Sequence, residues 1–418
     1  MAVNAAVIAC CALILGLAQA DAADDVIDEL DEQLTFHTED GNVRARISGT
    51  IELEGYRFTE PAPALIDARG QSLFNPRLTT FADLQIGPRV YAFLQARADR
   101  GFDPSDEPGE ARLDEYMVRL TPWLDGRFNL QVGKFATVIG SWVRRHGSWE
   151  NPFVNAPLPY EHLTGMWDSV PATTAGTLLT WAHVRPRPSH PVTADEKYLR
   201  LPIIWGPSYA SGFAISGELG RMGYAAEVKN AALSSRPSTW KAVDDGWEHP
   251  TVSGRLDFQP NEMWTLGLSG STGPYLVPTA ARLLPAGRGL GSYRENLLGQ
   301  DIGFAWHHWQ VWAELFETRF EIPRVGNADT AAYYVETKYK LTPQLFVAAR
   351  WNEQLFAKFP DGAGGQVPWG ADVWRIDVAV GYRLTPHAQL KLQYSAQHEQ
   401  LESGGTGNLI AVQFVLKF

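Results

Sequence analysis

The chain ends Ile410-Ala411-Val412-Gln413-Phe414-Val415-Leu416-Lys417-Phe418, and here Ile410, Val412, Phe414, Leu416 and Phe418 alternate with Ala411, Gln413, Val415 and Lys417 up to the last residue. A period of two puts the two sets on opposite faces of an extended strand, one face apolar and the other mixed. The same reading extends upstream. Leu390, Leu392, Tyr394 and Ala396 alternate with Lys391, Gln393, Ser395 and Gln397, and Trp374, Ile376, Val378, Val380 and Tyr382 with Arg375, Asp377, Ala379, Gly381 and Arg383. Near the front, Val43, Ala45, Ile47, Ile51 and Leu53 alternate with Arg44, Arg46, Ser48, Thr50, Glu52 and Glu54. A soluble sandwich alternates too, so the choice between sandwich and barrel rests on other features.

Length and charge bound the alternatives. The 418 residues suffice for two or three soluble domains or for one large β-barrel. Lys+Arg is 36 against Asp+Glu 47, a net charge of -11, and no Lys/Arg run exceeds a pair, which argues against a nucleic-acid binder. Hydrophobic residues make up 45%, which excludes a disordered chain. Cys10 and Cys11 are the only cysteines, so the rest of the chain forms neither a disulfide nor a thiolate metal site.

Residues 6–18 form an apolar run of signal-peptide length that ends at the small-x-small site Ala18-Gln19-Ala20. Cleavage is expected after Ala20, although the n-region carries no Lys or Arg; Val7-Ile8-Ala9-Cys10 offers a lipoprotein box as the alternative. No later run reaches the roughly 20 apolar residues that a membrane helix needs, so any spanning element must be β. Residues 21–40 then hold nine acids (Asp21, Asp24, Asp25, Asp28, Glu29, Asp31, Glu32, Glu39 and Asp40) and no Lys or Arg, leaving 36 minus 38, or -2, for the remainder. Ile27, Leu30 and Leu34 give this acidic segment a helical stripe, so it is read as a periplasmic cap, a partner-binding arm or a solvated tail.

Two features favour a transmembrane barrel. Strands of about ten residues are joined by short connections of shared form, Leu120-Thr121-Pro122, Phe258-Gln259-Pro260, Leu341-Thr342-Pro343 and Leu384-Thr385-Pro386, while the opposite connections are long, as between residues 270 and 297 or 355 and 371. The aromatics Trp264, Trp306, Trp309, Tyr333, Tyr339, Trp351, Trp374, Tyr382, Tyr394 and Phe418 all take the apolar parity, several near strand ends, as amphipathic rings at membrane interfaces do.

The terminal strand closing on Phe418 resembles the C-terminal signature of Gram-negative outer-membrane β-barrels. With Val132-Gly133-Lys134-Phe135 closing a strand before a long internal segment, the chain resembles a porin, broadly similar to phosphate-selective and other substrate-selective porins. The resemblance implies an all-β transmembrane antiparallel barrel at residues 41–418 in the outer membrane. It also implies recognition of the C-terminal strand by the assembly machinery, and a homotrimer.

Eighteen strands are expected, near 43–54, 77–87, 89–99, 111–121, 126–136, 173–185, 199–205, 209–219, 222–231, 250–259, 262–271, 299–307, 309–320, 330–341, 344–354, 372–384, 387–398 and 407–418, with sixteen as the fallback if the weakest, 173–185 and 199–205, fail. A barrel of this size encloses an aqueous lumen.

Residues 136–170 are too long for a turn. In porins a long loop from this part of the chain folds into the lumen and narrows it; the alternative is an extracellular lid. Trp142, Arg144, Arg145, His146, Trp149, Phe153, Tyr160 and Trp167 mix cations with aromatics, against Glu150, Glu161 and Asp168. Guanidinium pairs bind anions in a fork and aromatic faces stack on sugars, so Trp142, Arg144, Arg145, His146, Trp149 and Tyr160 are the constriction and solute-binding candidates. The Arg pair could equally neutralise wall carboxylates. Inward parity assigns Arg127, Glu314, Glu336, Lys338, Arg350, Arg375, Asp377 and Arg383 to the lumen wall.

His307-His308 points to opposite faces and makes a poor metal site. No Gly-x-Ser-x-Gly elbow, His-Glu-x-x-His run or phosphate loop is present, so neither catalysis nor a cofactor is expected. The functional expectation is passive diffusion of small hydrophilic solutes, with anion or sugar preference open. The alternatives are a plugged structural or adhesive barrel that binds partners through its loops, and an export conduit.

Overall fold

The structure is a computed structural model that describes residues 20–59, 63–66, 68, 70–100, 109–183, 200–242, 245–361, 364–400 and 406–418; the expected signal segment before Ala20 lies outside them. The strands are β1 (Thr35–His37), β2 (Val43–Phe58), β3 (Ser72–Ile86), β4 (Val90–Asp99), β5 (Glu110–Leu120), β6 (Asn129–Lys134), β7 (Ser211–Leu219), β8 (Met222–Lys229), β9 (Thr251–Asn261) and β10 (Trp264–Pro274). They continue with β11 (Arg294–Trp306), β12 (Trp309–Ile322), β13 (Gly326–Lys340), β14 (Leu345–Phe356), the small hairpin β15 (Lys358–Pro360) and β16 (Gln366–Pro368), β17 (Val373–Arg383), β18 (Ala388–Glu399) and β19 (Thr406–Lys417).

β2–β14 and β17–β19 pair antiparallel in chain order, and β19 returns to β2 from Leu409↔Phe58 to Lys417↔Thr50. The ring is therefore closed, with sixteen strands; β1 only lengthens the edge of β2. Closure removes every open edge, which lets backbone polar groups cross a hydrocarbon layer paired. The last residue belongs to the seam: Gly49 N–H donates to the Phe418 carbonyl at 2.9 Å and Phe418 N–H to the Gly49 carbonyl at 3.0 Å. The Phe418 ring lies so close that a Cβ at position 49 would stand 2.6 Å from it.

Among the described residues the two weakest expected strands do not form. Residues 184 and 185 lie outside the described ones, and 173–183 give way to a helix, α2 (Ala175–His183), the second after the acidic helix α1 (Ala20–Gln33); its first turn is capped by the Thr174 hydroxyl accepting from Thr177 N–H at 3.1 Å. Residue 199 lies outside the described residues, and among 200–205 a single bridge forms, Trp167↔Arg200; Pro202 cannot donate to a ladder, and Leu201, Ile203 and Ile204 are fully buried inside the molecule. Apolar residues there serve an interior, not a lipid-facing wall. The connection between β6 and β7 consequently runs from 135 to 210, longer than the expected 136–170.

Short connections share one rim. In two of them a Thr supplies an acceptor where the ladder ends: its hydroxyl accepts from Leu345 N–H at 3.0 Å in Leu341-Thr342-Pro343, and from Ala388 N–H at 3.0 Å in Leu384-Thr385-Pro386. Phe258-Gln259-Pro260 lies within the end of β9 instead, the turn being residues 262 and 263. The long connections occupy the other rim, except for the tight turn at 323–325 between β12 and β13.

The outer surface is apolar and open to its surroundings: Leu392 is 52% exposed, Ile410 47%, Val378 45%. Aromatics ring it at two heights. Trp264 packs on Phe304 and Trp309 on Tyr339 near the short-turn rim, and Trp351 stacks on Trp374 at 5.5 Å toward the other. Such an exterior is stable only in a bilayer with interfacial belts. Among the described residues no helix is long and apolar enough to cross a membrane.

Candidate functional site: a segment clamped across a charged lumen

The chain leaves the wall after Lys134, one residue past Gly133, where φ is +141° and a Cβ would stand 2.1 Å from the Tyr116 carbonyl oxygen. Only glycine fits this departure. Lys134 then donates to the Leu113 carbonyl at 2.7 Å, and Lys229 to that of Phe135 at 2.7 Å, so the Gly-Lys-Phe sequence is the hinge that turns the chain inward.

Beyond the hinge, inward-facing side chains hold the segment at successive points. Glu227 of β8 accepts from the Thr137 hydroxyl at 2.6 Å. Glu314 of β12 accepts from Ser141 N–H, the Ser141 hydroxyl at 2.7 Å, Trp142 N–H at 2.8 Å and the Tyr160 hydroxyl at 2.6 Å. Lys391 of β18 donates to the carbonyls of Ser148, Asn151 and Phe153 at 2.7, 2.9 and 3.2 Å. Gln393 accepts from Val154 N–H at 2.6 Å and Asn352 from Leu158 N–H at 3.2 Å, while Arg350 and Arg375 donate to the Ala156 carbonyl at 3.1 and 2.5 Å. Ser148 closes the circuit by donating to Glu52 of β2 at 2.7 Å. Residues 137–161 thus lie inside the barrel, bonded to walls that face one another. Loops bring their own polar backbone, and here polar wall side chains satisfy it where water is excluded.

The constriction candidates separate. Arg145 pairs with Glu336, donates to the Tyr334 hydroxyl at 3.0 Å and lies 4.2 Å over the Trp312 ring. Arg144 pairs with Asp257 at 2.9 Å, yet its side chain is 59% exposed. Trp142 and Tyr160, read from sequence as faces for sugar stacking, are instead buried, 4.5 Å apart, within an apolar core. That core joins Ile139, Leu201, Ile204, Trp205 and Tyr209 to the inward-facing Phe316, Phe320 and Tyr334. Rings that bond and pack on both faces have no surface left for a solute. His146 bridges the Val143 carbonyl (2.5 Å) and the Tyr209 hydroxyl (2.6 Å), and burial pushes its pKa down to about 4, so it is neutral at pH 7. Trp149 remains half-buried in the lumen, with Lys417 at 4.4 Å and Arg383 at 5.4 Å from its ring centre. Phe153 is buried under Arg350, and Trp167 stacks on Trp181 at 4.5 Å.

The wall residues Glu314, Glu336, Lys338, Arg350, Arg375, Asp377 and Arg383 stand on inward-facing strand positions. Arg127 does not: it lies in the turn before β6, 68% exposed and paired with Asp125, because the strand begins three residues later than the expected 126.

Sequence reasoning missed an ion-pair lattice on β2–β5. Arg77 bridges Glu52, Glu54 and Asp99 at 2.8, 3.2 and 3.2 Å, Arg97 meets Asp114 at 3.1 Å, and Arg112 joins Asp99 to Asp114 at 2.5 and 2.8 Å. Arg255 links Asp257 and Asp301, each at 2.6 Å, and Arg350 and Arg375 share Asp377 across β14 and β17. Strand parity places all of these inward, and that was the available signal. The side chains of Arg77, Arg97 and Arg112 keep 17, 16 and 10% exposure, against 1, 0 and 2% for Arg255, Arg350 and Arg375, so the water-reachable arginines of the lattice lie on the β3–β5 wall. Among the described residues no cluster of three or more His, Cys, Asp or Glu is arranged to hold a metal.

The architecture is that of the Gram-negative outer-membrane porins. No protein-family model and no curated protein sequence matches the chain. Solved structures do. OmpT, an outer-membrane protein of Vibrio cholerae, in its trimer form aligns with 90% of this chain and 99% of its own at 9% identity, with a TM-score of 0.55. The anion-selective porin from Comamonas acidovorans covers 90% of this chain and 100% of its own at 10% identity and 0.53. The outer-membrane channel DcaP of Acinetobacter baumannii covers 92% and 99% at 9% and 0.54. At such identities the likeness is one of fold.

Proposed function

We propose that the chain is an outer-membrane channel for passive diffusion of small hydrophilic solutes, its aperture set by the segment at residues 136–170. The observation that carries this reading is the pairing of a lipid-facing ring with a polar lumen crossed by that segment, leaving the arginines of β3–β5 in reach of water. The lumen hydrates a passing solute, and the inserted segment sets size and charge limits. The neighbours named as porins and channels support the same reading. No catalytic step is assigned. A trimer is proposed, as in one solved form of Vibrio cholerae OmpT, with assembly machinery reading the seam strand that ends at Phe418.

A second reading is favoured by the apolar packing of Ile204, Trp205 and Tyr209 against Phe316 and Phe320: a barrel closed at rest, which serves through its loops. Purified protein in a planar bilayer distinguishes the two. Steady conductance steps, together with liposome swelling that falls as sugar size rises, support the channel. A folded barrel silent in both assays overturns it and leaves the closed barrel.

A further inference from the structure

Seven inward-pointing arginines, Arg77, Arg97, Arg112, Arg145, Arg255, Arg350 and Arg375, each meet a carboxylate within 4 Å. Other inward-facing cations meet no carboxylate: Arg119 is held by Gln131 and Lys391 by backbone carbonyls, and three more lie nearer the short-turn rim. Lys338 stands near the end of β13, Arg383 is the last residue of β17 and Lys417 the last of β19, all facing inward. Among the described residues none of the three forms an ion pair; each meets an aromatic face instead. Lys338 lies 4.3 Å over Phe346, and Arg383 and Lys417 share the Trp149 ring.

Phe346, under Lys338, pairs across strands with Gly381, two residues before Arg383 on the same inward face, and Arg383 shares the Trp149 ring with Lys417, so the three form one positive patch. Of the carboxylates that act electrostatically on Lys417, Glu150 and Asp31, the second is engaged with Arg46 at 2.9 Å. Glu336, near Lys338, is engaged with Arg145 and Arg350. Cations held together by a rigid wall repel one another, and a counter-ion relieves that repulsion most when it meets several donors at once. Aromatic faces orient a cation without consuming its N–H groups in a carboxylate fork.

We propose that Lys338, over Phe346, together with Arg383 and Lys417 at Trp149 of the inserted segment, form a binding site for a small oxyanion, a carboxylate or phosphate group on a passing solute. The site rests on the channel reading for its purpose, but binding itself needs no conduction. It differs from the Arg144/Arg145 pair expected from sequence, whose guanidiniums are engaged by Asp257 and Glu336.

The test is calorimetric titration of inorganic phosphate into the folded full-length barrel in detergent at low salt. Comparison is with Lys338→Gln/Arg383→Gln/Lys417→Gln and with Arg144→Ala, with folding checked by heat-dependent gel mobility. Wild type and Arg144→Ala are expected to bind phosphate alike, and the triple variant about tenfold or more weaker, the equivalent of one lost charge-assisted contact. If the triple variant misfolds, Lys417→Gln alone is expected to weaken binding in the same direction. Absence of binding to wild type, or equal binding by a folded triple variant, overturns the site. A barrel that binds phosphate but conducts nothing keeps the site and sinks the channel; one that conducts and binds none does the reverse.

Discussion

Glu314 is the point at which the inserted segment is most concentrated on the wall, and its removal gives a quantitative test of the clamp. One carboxylate on β12 takes two backbone N–H donors and two hydroxyls, from Ser141, Trp142 and Tyr160. Hydrogen bonds to a charged acceptor contribute about 1.5 kcal/mol each at the low end, so four come to about 6 kcal/mol. In Glu314→Ala the vacated volume admits water that can satisfy about half of the donors, leaving a loss of about 3 kcal/mol. That corresponds to roughly a 150-fold rise in the open population of the segment. The β12 ladder is untouched, so the barrel should keep its heat-dependent gel mobility. The assay is hydrogen exchange followed by mass spectrometry: amides of Ser141 and Trp142 should exchange about 100-fold faster than in wild type, while β13 and β14 stay protected. Glu314→Gln, which keeps one acceptor oxygen, should fall between. Unchanged protection at Ser141 and Trp142 in Glu314→Ala would refute the claim that this carboxylate holds the segment.

Further outcomes follow from other contacts. His146 has a folded pKa of about 4 against about 6.5 unfolded, so the folded state disfavours the proton; its contribution is intact above pH 6.5 and is lost as pH falls toward 4, by about 2 kcal/mol at pH 5. Exchange protection around residues 142–146 should fall accordingly between pH 7.5 and 5, and the slope should flatten in His146→Gln; a pH-independent wild type would contradict the neutral buried imidazole. Gly49→Val forces the Phe418 ring off the seam, where a Cβ already meets it at 2.6 Å, and should slow folding into lipid severalfold by gel mobility shift. The acidic helix α1 (Ala20–Gln33) touches the short-turn rim through Asp31 to Arg46 at 2.9 Å and Asp28 to His387 at 3.0 Å, with largely exposed acids. Pairs of this kind contribute about 0.2–1 kcal/mol and are screened by salt, so a chain lacking residues 21–33 should match the thermal stability of the full chain in 0.5 M NaCl to within the shift that about 1 kcal/mol produces. A larger drop would show that α1 is an integral part of the barrel.

Strand parity by itself determined the wall. Once Ile410, Val412 and Leu416 are assigned to one face, the period of two assigns Lys391, Arg375, Asp377 and Arg350 to the other without reference to any partner, because the pleat leaves no third direction. It also placed the aromatics that ring the exterior; the Gly-Lys-Phe strand end came from the resemblance to porins, which left open whether the following segment enters the lumen. It failed at the described parts of 173–185 and 199–205, where Leu178, Leu201, Ile203 and Ile204 are buried in the inner apolar cluster: hydrophobicity reports burial, and burial against lipid reads the same as burial against another part of the chain. Composition likewise marked residues 136–170 as rich in cations and aromatics, but only tertiary structure divided them, burying Trp142 and Tyr160 against Phe316 while Trp149 stayed beside Arg383 and Lys417. Which guanidinium finds a carboxylate and which stays unpaired depends on strands hundreds of residues apart in sequence, and so on barrel closure and register, which no local pattern encodes.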